Sequence, residues 1–226
     1  MEPLLTLAMD DEFAARGYVR CPAVLPADVV ARASAAIDHL YSSPEANVGH
    51  PGGRTDGVTQ YCPDPGLFEL FSQPALEQIA KFILRTEAVV LQSSAILHTR
   101  PPAVVDPAGP LFTEESEHVD VQYSLAEIDG TPRLQTCMLM VLVADLPLGR
   151  ANTYLRPGSH RLISEYLRDN GLEPFKAHPT FKVRDDGSGL PKLPFAELEP
   201  ATGKAGDVIA FCAGSDREVS ALLPLI

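Results

Sequence analysis

The sequence predicts an α+β chain, with helices first and then a mainly β core rolled as a sandwich or barrel. Three observations lead there. Up to residue 84 the apolar residues recur at helical spacing, whereas from 88 onward they come in short β-branched runs between turns. The 21 prolines and 16 glycines supply the turns that many short strands need. Strands and helices do not alternate as βαβ units, and GxGxxG, P-loop and GxSxG motifs are absent. Dinucleotide enzymes, P-loop NTPases and α/β-type serine hydrolases are therefore disfavoured.

The elements follow in order. Residues 9–16 read as a short helix closed by Gly17, and Tyr18–Cys21 alternates as a strand. After Pro26, the residues Val29, Val30, Ala33, Ala36, Ile37 and Leu40 mark the clearest helix. Residues 43–66 read as a long loop. Residues 66–84 are helical again, with a break expected at Pro74. Strands are expected over 88–98, 118–123, 135–144, 153–156 and 207–212, a helix over 160–170, and surface loop over 174–204. We expect a single domain over 1–226, mostly helical to residue 85 and β from 86 on.

Composition narrows the function. The chain has 226 residues and 45% hydrophobic content, enough for a sizeable core. Its 18 basic against 30 acidic residues give a net charge of −12. That argues against nucleic acid as a partner, because phosphates require a positive face. Four scattered cysteines without a CxxC read as reduced thiols. The acidic N-terminus lacks a signal peptide's basic region, and no apolar run is long enough to span a membrane. A cytoplasmic protein is expected, acting on a small molecule.

The run His118-Val119-Asp120 carries the sharpest chemistry. On an extended segment, residues two apart project from the same face. One imidazole and one carboxylate are two thirds of the facial triad that holds ferrous iron and leaves coordination positions open. The bland reading is an exposed turn after Glu114, Glu115 and Glu117.

Several segments, taken in order, resemble the phytanoyl-CoA dioxygenase family of Fe(II)/2-oxoglutarate-dependent oxygenases. They are Phe13 to Val19, Val90-Leu-Gln-Ser93, His118-Val-Asp120, Tyr154-Leu-Arg-Pro-Gly-Ser-His160 and Gly206-Asp-Val-Ile-Ala-Phe211. Asp129 to Arg133 and Thr202 to Gly206 lean toward the ectoine-hydroxylase branch. The resemblance implies a double-stranded β-helix (a cupin-like jelly roll) with N-terminal helices packed on one sheet. It implies a dioxygenase that hydroxylates a small organic substrate with Fe(II), 2-oxoglutarate and molecular oxygen. Iron would sit on His118 and Asp120, Gln92 would bond the cosubstrate, Met140 would wall its pocket, and Tyr123 would line the substrate side.

The match departs at its end. Six residues past Phe211, where the family has its distal His, stands Arg217, and no histidine follows His178. A matching cosubstrate-clamping Arg is also missing before Ile226, so the β-helix is expected to be incomplete at the C-terminus. Three explanations compete: a shortened chain, an oxygen ligand from Asp216 or Glu218, or a binding or regulatory protein that has lost catalysis. A cupin-like site of different chemistry would draw a third ligand from His98 or His160. Otherwise His160 sets a turn through backbone hydrogen bonds, His98 faces either pocket or surface, and His39, His50 and His178 lie outside the site. Gln92 could equally be a buried amide, and Cys137 and Cys212 small core residues.

Overall fold

A computed structural model describes residues 5–42, 54–55, 65–90, 96–97, 117–118, 136–148, 152–170, 193–213 and 223–224. Helix α1 (Leu7–Arg16) begins at Thr6, whose hydroxyl accepts the Met9 N–H, and ends at Gly17 with φ +81°. The chain then turns straight into β1 (Tyr18–Cys21). Helix α2 (Ala27–Ser42) buries Val29, Val30, Ala33, Ala36 and Ile37 on one stripe. Each buried Val or Ile contributes about 1.5–3 kcal/mol relative to exposure.

The helical stretch expected over 66–84 is two helices, α3 (Pro65–Phe71) and α4 (Pro74–Leu84). Pro74 stands at the start of α4, where its missing N–H is harmless. Leu67 and Leu70 of α3 and Leu76, Ile79 and Ile83 of α4 join the α2 stripe in one core. On the surface, Arg32 of α2 grips Glu69 of α3 with two hydrogen bonds of 2.7 Å.

The remaining elements are β2 (Arg54–Thr55), β3 (Ile96–Leu97), β4 (Glu117–His118), β5 (Thr136–Val141), β6 (Tyr154–Leu155), α5 (Ser159–Asn170), β7 (Glu199–Pro200), β8 (Val208–Ala213) and β9 (Leu223–Pro224). The main sheet runs β1-β8-β5, antiparallel throughout. Strand β8 is apolar along its length because it is central and covered on both faces. Val19, Cys21, Val208 and Ala210, with Cys137, Leu139 and Val141, face the helix core. Tyr18, Ile209, Phe211, Met138 and Met140 face the other way, toward Leu155 of β6 and Ala201 just past β7. Strand β6 pairs with β7 and also approaches β9, which pairs with β4.

The sequence overextended the β structure in places. Of the strand expected over 88–98, the described residues are 88–90, which are irregular with Val90 exposed, and Ile96 and Leu97, which form a strand. The segment expected to be loop over 174–204 contributes β7. Two-residue strands such as β7 carry no internal periodicity, so only their partners reveal them.

The Gly206-Asp207 pair makes a corner rather than a site. Leu142 N–H donates to Asp207 O (3.0 Å) while Gly206 N–H donates to Leu142 O (2.7 Å), a bulge at the head of β8. Gly206, at φ +92°, has its carbonyl bonded by the N–H groups of Val24 and Leu25, and a Cβ there would stand 3.1 Å from Leu25 O. The buried Asp207 carboxylate accepts the Ala23 N–H (2.8 Å) and the Lys204 N–H (2.9 Å). Nearby, the exposed Asp145 accepts the Ala205 N–H and pairs with Lys204, which together hold its carboxyl below the usual range. That tie is present above the ordinary carboxylate pKa and is lost as pH falls through the lowered value.

An Asp207→Asn variant keeps the shape but turns one acceptor into a donor facing a backbone N–H. It is expected to lose about 1–3 kcal/mol. Urea unfolding of wild type and variant measures this, and an unchanged midpoint would contradict the two-bond role.

Candidate functional site

The structure separates the sequence-derived site residues. His118 lies in β4, its backbone opposite Leu223. Met140 lies in β5 opposite Ile209, on the sheet face that looks toward β6 and β7. Asp120, Gln92 and Tyr123 lie outside the described residues, as do His50, His98, His178, Asp216, Arg217 and Glu218. His39 is exposed on α2. Among the described residues no group of three His, Cys, Asp or Glu comes together as a metal cage.

The Pro157-Gly-Ser-His160 signature has a different role from a metal ligand. A helix leaves its last carbonyls unbonded. At the end of α1, Gly158 N–H donates to Arg16 O (2.9 Å) and the Arg161 guanidinium to Ala14 O (2.6 Å). The His160 Nε2 also meets Ala14 O at 3.3 Å, and since a carbonyl only accepts, Nε2 carries the proton. His160 is 1% exposed, and its ring lies against Gly17. The signature thus closes the first helix, in line with the turn-setting reading and against the use of His160 as a third ligand.

Two polar clusters were not foreseen. Arg16 hydrogen-bonds both Tyr18 and Glu199, Tyr18 Oη lies 3.1 Å from Glu199, and the guanidinium stacks 4.8 Å above the Tyr18 ring. This ties α1 and β1 to β7. Burial raises the Tyr18 phenol despite the cation beside it, so it remains neutral. The buried Asn152 amide donates to Pro147 O (3.2 Å) and Ala201 O (2.9 Å), joining the turn before β6 to the end of β7. Nothing local in the sequence marks either cluster, because the partners are far apart along the chain.

Helices on one face of an antiparallel sheet, with short paired strands over the other, define an α+β fold with its second core between β layers. No family model matches the chain, and no curated protein matches it. Solved structures do. AviO1 from Streptomyces viridochromogenes Tue57 is similar with a TM-score of 0.53 at 16% identity, over 99% of this chain and 94% of that one. The epimerase SnoN, in complex with Fe3+, alpha ketoglutarate and nogalamycin RO, is similar at 0.55 and 15% identity, over 96% and 76% of the two chains. HygX from Streptomyces hygroscopicus, with nickel and 2-oxoglutarate bound, is similar at 0.51 and 14% identity, over 98% and 81%. At these identities the likeness establishes the fold that this chain shares with 2-oxoglutarate-binding metalloenzymes.

Proposed function

We propose that this chain is a non-haem Fe(II)/2-oxoglutarate-dependent dioxygenase of the phytanoyl-CoA dioxygenase type, hydroxylating a small organic substrate. Its β core is read as a double-stranded β-helix, one sheet being β1-β8-β5 and the other gathering β7, β6, β9 and β4. The observation that carries the reading is the place of the His118 strand. Strand β4 pairs with β9, β9 approaches β6, and Leu155 of β6 packs on the face that carries Met138 and Met140. In this reading the backbone of His118 belongs to the layer set against the Met140 sheet. The shared fold adds support, since SnoN and HygX hold a metal, 2-oxoglutarate and, in SnoN, nogalamycin RO.

In this reading His118 and Asp120 hold the iron, a hard-and-borderline donor pair suited to a ferrous ion. Gln92 binds and orients the cosubstrate, and Met140 forms part of its wall. Tyr123 lines the substrate side. Iron with 2-oxoglutarate and molecular oxygen supplies the oxidising power for hydroxylating a C–H bond. The protein's share is positioning and dryness: Met138, Met140, Ile209 and Phe211 offer only apolar surface on the inner face and exclude water.

The test is oxygen-dependent release of succinate from 2-oxoglutarate by the folded protein with added Fe(II). Succinate above the metal-free control is expected even without the substrate, at a low rate. No succinate, together with no binding of Mn(II) by calorimetry, would overturn the reading. It would favour the second reading, a binding or regulatory protein of the same fold, which is motivated by Arg217 standing where the family has its distal His.

A further inference from the structure

The main sheet ends differently on its two sides. Strand β1 is four residues long, carries the exposed Arg20 and runs into Pro22, features that keep further strands off an edge. Strand β5 closes the other side with none of them. Thr136-Cys-Met-Leu-Met-Val141 is six residues without a charge or a proline, and no strand lies beyond it among the described residues. Cys137 to Val141 pack against the two cores yet are only half-buried, whereas Val208 to Phe211 of the central β8 are buried. The ladder shows which backbone groups are left over. Leu142 N–H donates to Asp207 O, which makes that rung a hydrogen-bonded one. Rungs alternate in an antiparallel pair, so Met140/Ile209 and Met138/Phe211 are hydrogen-bonded as well. The N–H and C=O groups of Cys137, Leu139 and Val141 therefore point away from β8, and such a row is a template for a further strand.

We propose that this edge pairs with the same edge of a second copy of the chain, antiparallel about a twofold axis at Leu139. Two observations select a second copy. First, the bonding pattern is its own complement. The outward residues are symmetric about Leu139, so Leu139 meets its own counterpart and Cys137 meets the partner's Val141. Every outward N–H and C=O of both edges then finds a bond. The same register sets Met138 opposite the partner's Met140 and keeps each side chain on its own layer. Cys137, Leu139 and Val141 stay with the helix core, and Met138 and Met140 with the core under β6 and β7. A one-residue slip would oppose side chains of different faces. Second, the edge is neutral in a chain of net charge −12, whose copies repel one another elsewhere. Strand β5 is uncharged, and on α4, which lies over it, Lys81 offsets Glu77 at 2.7 Å. A partner of opposite charge would gain nothing here, whereas a like copy meets no repulsion. The two sheets join as β1-β8-β5-β5-β8-β1, and the exposed edge is gone.

The experiment follows the reduced full chain by sedimentation equilibrium over a dilution series. Expected is twice the mass of one chain at high concentration, falling to one chain on dilution. Amide hydrogen exchange, read by NMR, should protect Cys137, Leu139 and Val141 in the dimer and lose that protection in the monomer. Met138 and Met140, bonded to β8, should stay protected in both. The register is checked with Leu139→Cys, which places two introduced thiols on one hydrogen-bonded rung. There the Cα atoms stand about 5.5 Å apart, within the span of about 4.4–6.8 Å that a disulfide bridges. Mild oxidation should join two chains through position 139, seen by mass spectrometry of peptides digested without reductant. Leu139→Lys sets like charges directly opposite each other and should abolish the dimer. Should that variant fail to fold, the exchange and cross-linking results decide alone. A single-chain mass at every concentration, an assembly that grows beyond two chains, or a dimer with those three amides unprotected or position 139 unlinked would each overturn the proposal.

Discussion

Gly17→Ala is expected to destabilise the protein by about 3–5 kcal/mol, through two costs that add. Gly17 sits at φ +81°, in the left-handed region that closes α1, where any side chain is strained. Its N–H bonds Phe13 O at 2.7 Å, so the backbone cannot relax out of that region without opening the last turn. A Cβ there would also stand 2.5 Å from His160 Nδ1 and 2.9 Å from its Cγ, closer than real contacts allow. The ring cannot swing away freely, because it is fully buried and bonded to Ala14 O. Chemical denaturation reads the loss. A Gly17→Ala/His160→Ala pair should cost less than the sum of the two singles, since removing the imidazole relieves the clash. Strict additivity would show that the clash is not the cause.

On activity, His118→Ala and Asp120→Ala are each expected to lower succinate formation and Mn(II) affinity by at least about 100-fold. In the proposed centre each would remove a direct ligand, and even the groups that merely orient ligands are worth about 10–100-fold. On the proposed role these side chains serve the metal, so the melting temperature of the metal-free protein should hardly move. Wild-type affinity in either variant would remove that residue from the proposed centre. A large loss of thermal stability would point instead to a structural role for the segment.

The order of helices and long strands was legible because each rests on local pattern. The α2 stripe from Val29 to Ile37, the Gly17 stop and the Pro74 boundary all follow from residues within a few positions of one another. The alternating and apolar runs at 18–21, 136–141 and 208–213 were likewise readable as strands. Of the candidate site, His118 and Met140 lie among the described residues, His118 in the two-residue β4 and Met140 in β5 on the face turned toward Leu155 and Ala201. The signatures were recognisable as segments, but what each does in the fold was not. Pro157-Gly-Ser-His160 closes α1, and Gly206-Asp207 anchors a corner to Ala23 and Lys204.

By itself, then, the chain's sequence determined the helices and the longer strands, its acidic character, and the His-x-Asp pair as the candidate iron ligands. Tertiary structure alone decided the partners: His160 under Gly17, Arg16 with Glu199, Asn152 with Ala201, and Cys137 across from Cys212. The physical reason is range. Periodicity and capping act between near neighbours, whereas these pairs are 49 to 183 positions apart along the chain, and only the closing of the fold brings them together.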